Sequence, residues 1–306
     1  MSDFRIVENR DIDKVKWDLL LSNYPNAFPY ALSGYLDVVS PNWKALIVND
    51  YDYVLALPWR RKWGFSYVYP PEFTQQIGVF GKEKASHSLI EEMISFVSKE
   101  FSYLEFNLNK DNYLDFPFAG IRHKWRRNFV LNLSSDYQRL YKGFHKNTQR
   151  NIKKSKSKGL HIKSVHDPAL IISTFIENKG KQLKDKNISY PLLNKLYNTG
   201  NESHSFDILH VYKEDDFLGG AMFLNFRKRK IFLFSALNDK GRENKAMFFL
   251  LDHIIESNAE KDLLLDFEGS DISDLATFYH RFGAKEKLYL HIEINRLPLF
   301  LKWLKN

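Results

Sequence analysis

The chain has 306 residues, 44% of them hydrophobic and 15% aromatic, a composition that excludes a disordered or fibrous protein and a length that favours two domains. With 45 Lys and Arg against 37 Asp and Glu, its net charge is +8, which favours an anionic partner. It has no cysteine, which excludes disulfides, thiolate nucleophiles and cysteine metal sites. Neither a signal-peptide pattern nor a bilayer-spanning apolar run is present, so we expect a cytoplasmic protein.

Period-two patterns in the first half predict three strands joined by tight turns. They are WKALIVN (43–49), YVLALPW (53–59) and SYVYP (66–70). A helix over His87–Lys99 and two further strands, YLEFN (103–107) and RNFVLNL (127–133), are expected to follow.

A strongly basic segment comes next. From Tyr137 to His166 the chain has nine basic residues and no Asp or Glu, so this segment accounts for the whole net charge. On a helical wheel its basic residues lie opposite its apolar ones, which predicts a linking helix over 137–160, ended by Gly159, with a charged face at the surface or in a groove between domains. A solvated helix face without a ligand is the alternative.

The second half repeats the order of the first. Strands are predicted at FDILHVY (206–212), FLGGAMFLNF (217–226), IFLFSAL (231–237), LLLDF (263–267) and LYLHIEI (288–294). Helices are predicted over Asn244–Ser257, with His253 in the core, and from a capping Asp271 through FYHRF.

An internal duplication explains this order. Leu104-Glu105-Phe106 aligns with Leu265-Asp266-Phe267, and Gly120 with Gly283. Each copy has three antiparallel strands followed by a strand–helix–strand crossover that must be parallel. We therefore predict an α/β (α+β) protein with two tandem domains, each a mixed, mostly antiparallel sheet flanked by helices, over 1–136 and 161–306, joined by the basic helix 137–160.

Three stretches carry a resemblance to a known family: HKNTQRNIKKSKSKGL, GRENKAMFFLLDHIIESN followed by LLLDFEGS, and DLATFYHRFGA. They resemble the Gcn5-related N-acetyltransferase (GNAT) superfamily, and more closely its tandem-domain branch of Fem-type peptidyltransferases. The resemblance implies GNAT-like domains, acyl-CoA (acetyl-CoA or longer) as co-substrate, and chemistry in the second copy.

The resemblance also implies a site. In the family, the fourth and fifth strands, here IFLFSAL and LLLDF, splay around the acyl carrier, and the next helix begins at its pyrophosphate. The cofactor-binding candidates are Leu237, Gly241, Arg242, Lys245 and Ala246, with an ordinary polar loop as the alternative.

The same resemblance suggests two catalytic residues. Tyr279 matches the tyrosine that protonates the leaving thiolate, a role that suits a phenol with a pKa of about 10, although a core aromatic is the alternative. Glu268 is the candidate base for the attacking amine. Fem transferases have a lysine in the Phe278–Phe282 helix where this chain has none, which favours a thioester over an aminoacyl-tRNA donor.

The sequence thus predicts an N-acyltransferase that moves an acyl group from acyl-CoA to an amine of an anionic small molecule or cell-envelope precursor. Lys146, Arg150, Lys153 and Lys154 would bind the acceptor. A Fem-like aminoacyl-tRNA-dependent transferase and a non-catalytic protein that binds RNA or, through its tail LPLFLKWLKN, a membrane surface are the alternatives. No stable protein partner is predicted, and the spacing of His residues predicts no metal site.

Overall fold

The structure, a computed structural model, describes residues 3–25, 27–114, 120–180, 191–200, 204–269, 271–298 and 301. The chain forms two compact units: unit 1 comprises Met1–Arg126 with Leu288–Asn306, and unit 2 comprises Arg127–Lys287. In the described ranges, no helix combines the length and the apolar character that crossing a membrane requires. Most of the tail LPLFLKWLKN lies outside the described residues.

The first half of the chain contains three helices and eight strands within the described residues. They are β1 (Phe4–Glu8), α1 (Lys14–Asn23), α2 (Ser33–Val39), β2 (Lys44–Val48), β3 (Tyr53–Leu57), β4 (Trp59–Lys62), β5 (Phe65–Val68), β6 (Val79–Gly81), α3 (His87–Glu100), β7 (Tyr103–Asn107) and β8 (Ile121–Asn132). The predicted helix and β7 are confirmed almost to the residue. The sequence marks α3 clearly, because the Ser86 hydroxyl accepts the Leu89 N–H at its start and its apolar residues form one face.

The second half contains α4 (Tyr137–Lys142), α5 (Lys146–Lys156), β9 (Leu160–Val165), α6 (Ala169–Phe175), α7 (Pro191–Tyr197), β10 (Ser205–Lys213), β11 (Asp216–Phe226), β12 (Arg229–Leu237), α8 (Asp239–Glu243), α9 (Ala246–Ser257), β13 (Leu264–Asp266), α10 (Ser273–Arg281) and β14 (Lys285–Asn295). A π-helical turn, Ile176–Gly180, follows α6. All five predicted strands of this half are present.

Unit 1 has two groups of strands. One is an antiparallel sheet in the order β1-β2-β3-β6. In the other, β4 pairs antiparallel with β5, β5 pairs parallel with β7, and β7 pairs antiparallel with β14. The sequence predicted one strand through residue 59, but the strand ends at Leu57, because Pro58 has no N–H to donate to a sheet. The predicted third strand, β5, therefore pairs with β4 and not with β3.

Unit 2 has one run of strands in the order β8-β13-β12-β11-β10-β9. Its pairs are antiparallel, except that β12 and β13 are parallel across the α9 crossover, as predicted. The core includes Phe223 and Leu265 of the strands, Leu250 of α9 and Phe282 after α10, each at 0% exposure.

The closing strands correct the predicted organisation. β8 is the last strand of the predicted first copy, yet it pairs with β13 in unit 2, through Leu131 opposite Leu265. β14 is the last strand of the predicted second copy, yet it pairs with β7 in unit 1, through Ile292 opposite Phe106. The compact units therefore differ from the predicted 1–136 and 161–306, because strand patterns do not reveal which copy a closing strand joins.

The single basic linking helix over 137–160 is also corrected. Two helices, α4 and α5, occupy the segment and belong to unit 2. Gly143 ends α4, and the His145 Nδ1 accepts the Asn147 N–H at 3.1 Å and so begins α5 anew. α5 ends at Lys156, before Gly159, whose φ of +68° suits a glycine.

Two local predictions near the site are wrong. His253 is exposed, whereas its neighbour Asp252 is fully buried. Asp252 is stabilised there by the Tyr137 hydroxyl at 2.6 Å and the Lys156 ammonium at 2.7 Å. Asp271 is not the cap of α10, because that helix begins at Ser273 after Ile272.

Candidate functional site

The parallel pair β12 and β13 opens partway along. β13 pairs with Arg229, Lys230 and Ile231 at the start of β12 and ends at Asp266, whereas β12 continues to Leu237 alongside β11. The ring of Tyr279 in α10 contacts both sides of this opening. Its centroid lies 6.5 Å from that of Phe232 in β12 and 4.9 Å from that of Phe267, the residue after β13. The expected separation of the two strands is thus present.

A cavity of about 270 Å³ lies along this open part of β12. Its walls are mainly apolar and come from β12, α6 and the π-helical turn, α8, α9 and α10. The lining residues are Thr174, Phe175, Asn178, Phe232, Ser235, Ala236, Leu237, Arg242, Met247, Leu275, Phe278 and Tyr279. Of the residues predicted from sequence, the cavity brings together Leu237, Arg242 and Tyr279.

Tyr279 is 8% exposed and lines the cavity. No described residue forms a hydrogen bond with its hydroxyl, which leaves that group available to a ligand. Burial, and secondarily the negative charge of Glu268, raise the pKa of Tyr279. The phenol is therefore protonated at neutral pH, the state that a proton donor needs, and the raised pKa makes it a weaker acid than a free phenol.

Glu268 is half-buried and follows β13 by two residues in a left-handed conformation with φ of +59°. Its N–H donates to the Asp266 Oδ1 at 2.9 Å, which fixes this turn. Asp266 is itself buried and forms ion pairs and hydrogen bonds with Arg229 and Asn128, so it has a structural role. Glu268 is close enough to affect Tyr279 electrostatically but does not line the cavity.

The loop between β12 and α9 folds around Asn238. Its side chain caps α8, with its Oδ1 accepting the Gly241 N–H at 2.7 Å and its Nδ2 donating to the Phe217 carbonyl at 2.6 Å. A Cβ at Gly241 would lie 2.0 Å from the Leu218 carbonyl oxygen, so this buried position requires glycine. The predicted cofactor contact Gly241 thus has its N–H engaged and a packing role.

Free donors occur one turn later, at the start of α9. Lys245 precedes this helix in a left-handed conformation with φ of +59°, and no side chain caps the helix. Among the described residues no acceptor binds the N–H groups of Ala246 and Met247. Met247 lines the cavity and Ala246 is fully buried next to it, so an anion that reaches these two donors binds at the positive end of a 12-residue helix.

Arg242 forms one side of the cavity. Its guanidinium donates to the Leu237 carbonyl at 2.8 Å, to Asp239 at 2.6 Å and to Asn178 at 3.3 Å. Asn178 lies in the π-helical turn, a type of local irregularity that is common at functional sites. The sequence did not single out Asn178 or Phe175, because neither charge nor a motif marks them, and it did not distinguish Met247 from the other residues of GRENKAMFFLLDHIIESN.

The predicted acceptor-binding residues lie elsewhere. Lys146, Arg150, Lys153 and Lys154 are exposed on α5, and none lines the cavity beside Tyr279. None forms an ion pair with a described residue, in contrast to Lys156, which pairs with the buried Asp252. α5 packs against α9 through Ile152, so its cations remain at the surface of unit 2.

A second, larger cavity of about 860 Å³ lies along the opposite face of α10 and reaches the start of α5. Five basic or imidazole side chains line it, against the single carboxylate of Glu286. They are Arg127, His145, His280, Arg281 and Lys285. The sequence does not bring them together, because they come from four separate elements. Within the described residues, no group of three or more His, Asp or Glu side chains could hold a metal ion.

No protein-family model matches the chain, and no curated protein is similar to it in sequence. Solved structures are similar in fold. FemX has a TM-score of 0.69 at 11% identity over 96% of this chain and 99% of its own. A tandem GNAT protein from the clavulanic acid biosynthesis pathway has a TM-score of 0.58 at 11% identity, over 97% and 99%. The C-terminal domain of a putative lysylphosphatidylglycerol synthetase from Agrobacterium fabrum has a TM-score of 0.59 at 9% identity, over 97% and 95%.

Proposed function

We propose that this chain, which has the Fem-like tandem GNAT fold, is an acyltransferase that moves an acyl group from acyl-CoA to an amine. The observation that carries the proposal is the unpartnered, protonated Tyr279 hydroxyl in an apolar cavity at the opening between β12 and β13. The fold alone leaves the reaction open. A buried proton donor beside a slot for an extended ligand is the arrangement that acyl transfer from a thioester uses.

The chemistry follows from these positions. The amine nitrogen attacks the thioester carbonyl carbon, and the carbon–sulfur bond breaks. The sulfur takes the proton of the Tyr279 hydroxyl, and the phenolate then regains a proton from water. We assign Glu268 to accept the proton that the amine loses, directly or through water. The apolar walls exclude water, which protects the thioester from hydrolysis.

The cofactor phosphates would bind at the start of α9. The free N–H groups of Ala246 and Met247 and the ammonium of Lys245 are the donors. Arg242 contributes by holding Leu237 and the π-helical turn together, and it can turn to a phosphate only if it leaves Asp239. Gly241 allows α8 to pack closely on β11. We place this reaction in the cytoplasm, where acyl-CoA occurs.

The acceptor, in this proposal, is an anionic small molecule or cell-envelope precursor. The cationic cavity beside α10 reaches His145 at the start of α5, and together with the unpaired cations of α5, including Lys146 and Arg150, it offers positive charge to this acceptor within unit 2. The lipid-related name of one fold neighbour agrees with an envelope substrate.

Calorimetric titration with acetyl-CoA and longer acyl-CoAs tests the donor. We expect saturable binding that the Arg242→Ala/Lys245→Ala variant weakens by roughly tenfold or more, since the charged hydrogen bond of Lys245 alone contributes about 1.5–3 kcal/mol and the loss of Arg242 also releases the cavity wall that it holds. Tyr279→Phe should retain binding and slow the release of free thiol from acyl-CoA by roughly 100-fold or more. If no CoA ester binds, the acyl-CoA proposal is wrong.

A Fem-like aminoacyl-tRNA-dependent transferase is the second candidate, and the unpaired cations of α5 favour it. In that case the chain binds charged tRNA and does not bind acyl-CoA. Its affinity should fall steeply with salt and be lost in Lys153→Glu/Lys154→Glu. Binding of acyl-CoA, together with a tRNA affinity that does not change with salt or in Lys153→Glu/Lys154→Glu, would exclude this candidate.

A further inference from the structure

The turn between β4 and β5 in unit 1 has an unusual residue. Lys62 pairs with Phe65, so the loop contains only Trp63 and Gly64. Their φ angles are +51° and +83°, the signature of a type I′ turn. This turn prefers Asn-Gly or Asp-Gly, because a bulky side chain at positive φ is sterically strained.

No packing in the described structure accounts for tryptophan at this strained position. Its side chain is 67% exposed, and the Lys62 ammonium lies 4.6 Å from the indole centroid. A large apolar residue that has a strained backbone and an exposed side chain destabilises the fold and contributes nothing to a hydrophobic core. Such a residue is expected at a position where binding to a partner, and not folding, determines which side chain is present.

The strand that leads into the turn is an edge strand with three cations. Arg60 stacks on Tyr69 with 4.4 Å from its guanidinium carbon to the ring centroid, and the Arg61 Nε donates to the Gly64 carbonyl at 3.2 Å. No described carboxylate pairs with Arg60, Arg61 or Lys62. Three cations without a described carboxylate partner therefore lie on the strand that leads into one exposed indole.

We propose that the β4–β5 hairpin docks unit 1 on an anionic phospholipid surface. The indole would lie at the boundary of headgroups and acyl chains, where tryptophan concentrates, and the cations would bind lipid phosphates. Single-stranded nucleic acid fits less well, because a cation already lies over one face of Trp63 and over one face of Tyr69, where bases would stack. This docking is independent of the proposed acyl transfer.

Sedimentation of the full chain with vesicles tests the proposal. Binding is expected to phosphatidylglycerol-containing vesicles and not to pure phosphatidylcholine. Arg61→Gln/Lys62→Gln should weaken it about 25-fold, since each basic residue near an anionic surface contributes about 1 kcal/mol, or roughly fivefold. Trp63→Asn should weaken it roughly tenfold through the loss of apolar burial. Trp63→Asn also installs the preferred turn residue, so its melting temperature should equal or exceed that of the wild type.

Val15→Asn is the matched control. Val15 is 79% exposed in the same unit, but its neighbours Lys14 and Lys16 are neutralised by Asp37 and Asp50. Unchanged vesicle binding of this variant, with loss in both hairpin variants, supports the proposal. Absence of wild-type binding, or binding that neither hairpin variant reduces, overturns it. So does binding to single-stranded RNA alone that Trp63→Asn abolishes, which would assign the hairpin to nucleic acid.

Discussion

At the scale of single residues, Gly241 shows how a family resemblance and a packing requirement can coincide. The resemblance placed this residue at a cofactor phosphate, whereas its contact with the Leu218 carbonyl requires glycine with or without a ligand.

We expect Gly241→Ala to destabilise the protein by about 1–3 kcal/mol, because either α8 or β11 must shift. Chemical denaturation measures this change. Gly34→Ala in α2, where no atom lies within 4 Å of the new Cβ, is the control and should stabilise by about 0.5–1 kcal/mol. Equal effects of the two variants would contradict the packing account.

A second prediction at this scale concerns pH. Asp207 is desolvated, which would raise its pKa, but hydrogen bonds from Lys230 and Asn225 outweigh this and lower the pKa. Because the folded-state pKa is below the unfolded one, the stabilisation is present at neutral pH and is lost as the pH falls through and below the ordinary carboxyl range. Asp207→Asn should cost about 1 kcal/mol at pH 7 and progressively less toward pH 3, since the carboxylate is partly exposed. Denaturation midpoints across this range check the trend, and a difference that is constant with pH would contradict it.

At the scale of helices and strands, α9 shows that hydrophobic periodicity can predict a helix without predicting which of its polar residues is buried. The sequence pattern predicted the helix but put His253 in the core, and Asp252 is buried instead. Its partners, Tyr137 and Lys156, are 115 and 96 residues away in sequence, so only the tertiary structure reveals them. The same limit applies to the site: Tyr279 belongs to a recognisable motif, whereas Asn178 and the cationic cavity depend on elements that fold together.

The hydrogen bond from α4 to α9 gives a prediction at this scale. Tyr137→Phe removes the hydrogen bond to the buried Asp252 carboxylate and should destabilise by about 1.5–3 kcal/mol, the range for a hydrogen bond to a charged group. Tyr141→Phe is the matched control on the same helix, because its hydroxyl forms a longer 3.3 Å bond to the Gln149 carbonyl, and we expect at most about 0.5 kcal/mol. Urea unfolding of both variants distinguishes them. A loss in Tyr137→Phe no greater than that in Tyr141→Phe would mean that Asp252 does not anchor α4.

At the scale of the whole molecule, the sequence predicted the duplicated fold but not its connectivity. Both crossovers are parallel, and Gly120 and Gly283, aligned in the repeat, have φ of +81° and +78°. The closing strands are alike in pattern, and either could in principle extend either sheet. Their pairing is set by long-range packing, which places β14 beside β7 in unit 1.

This connectivity predicts the effect of truncation. A chain that ends at Lys287 lacks most of β14, so the side chains of Leu104 and Phe106 in β7 lose their partners Ile294 and Ile292. Because several large core side chains are removed, unit 1 should unfold although the deletion is at the C-terminus, and unit 2 should stay folded. Limited proteolysis followed by mass spectrometry would then show cleavage throughout 3–114 and protection of 127–287. A chain that ends at Asn295 retains β14 and is the control, with both units protected. If each copy closed its own sheet, as the sequence pattern suggested, truncation at Lys287 would instead expose 161–287 and leave the first 126 residues protected.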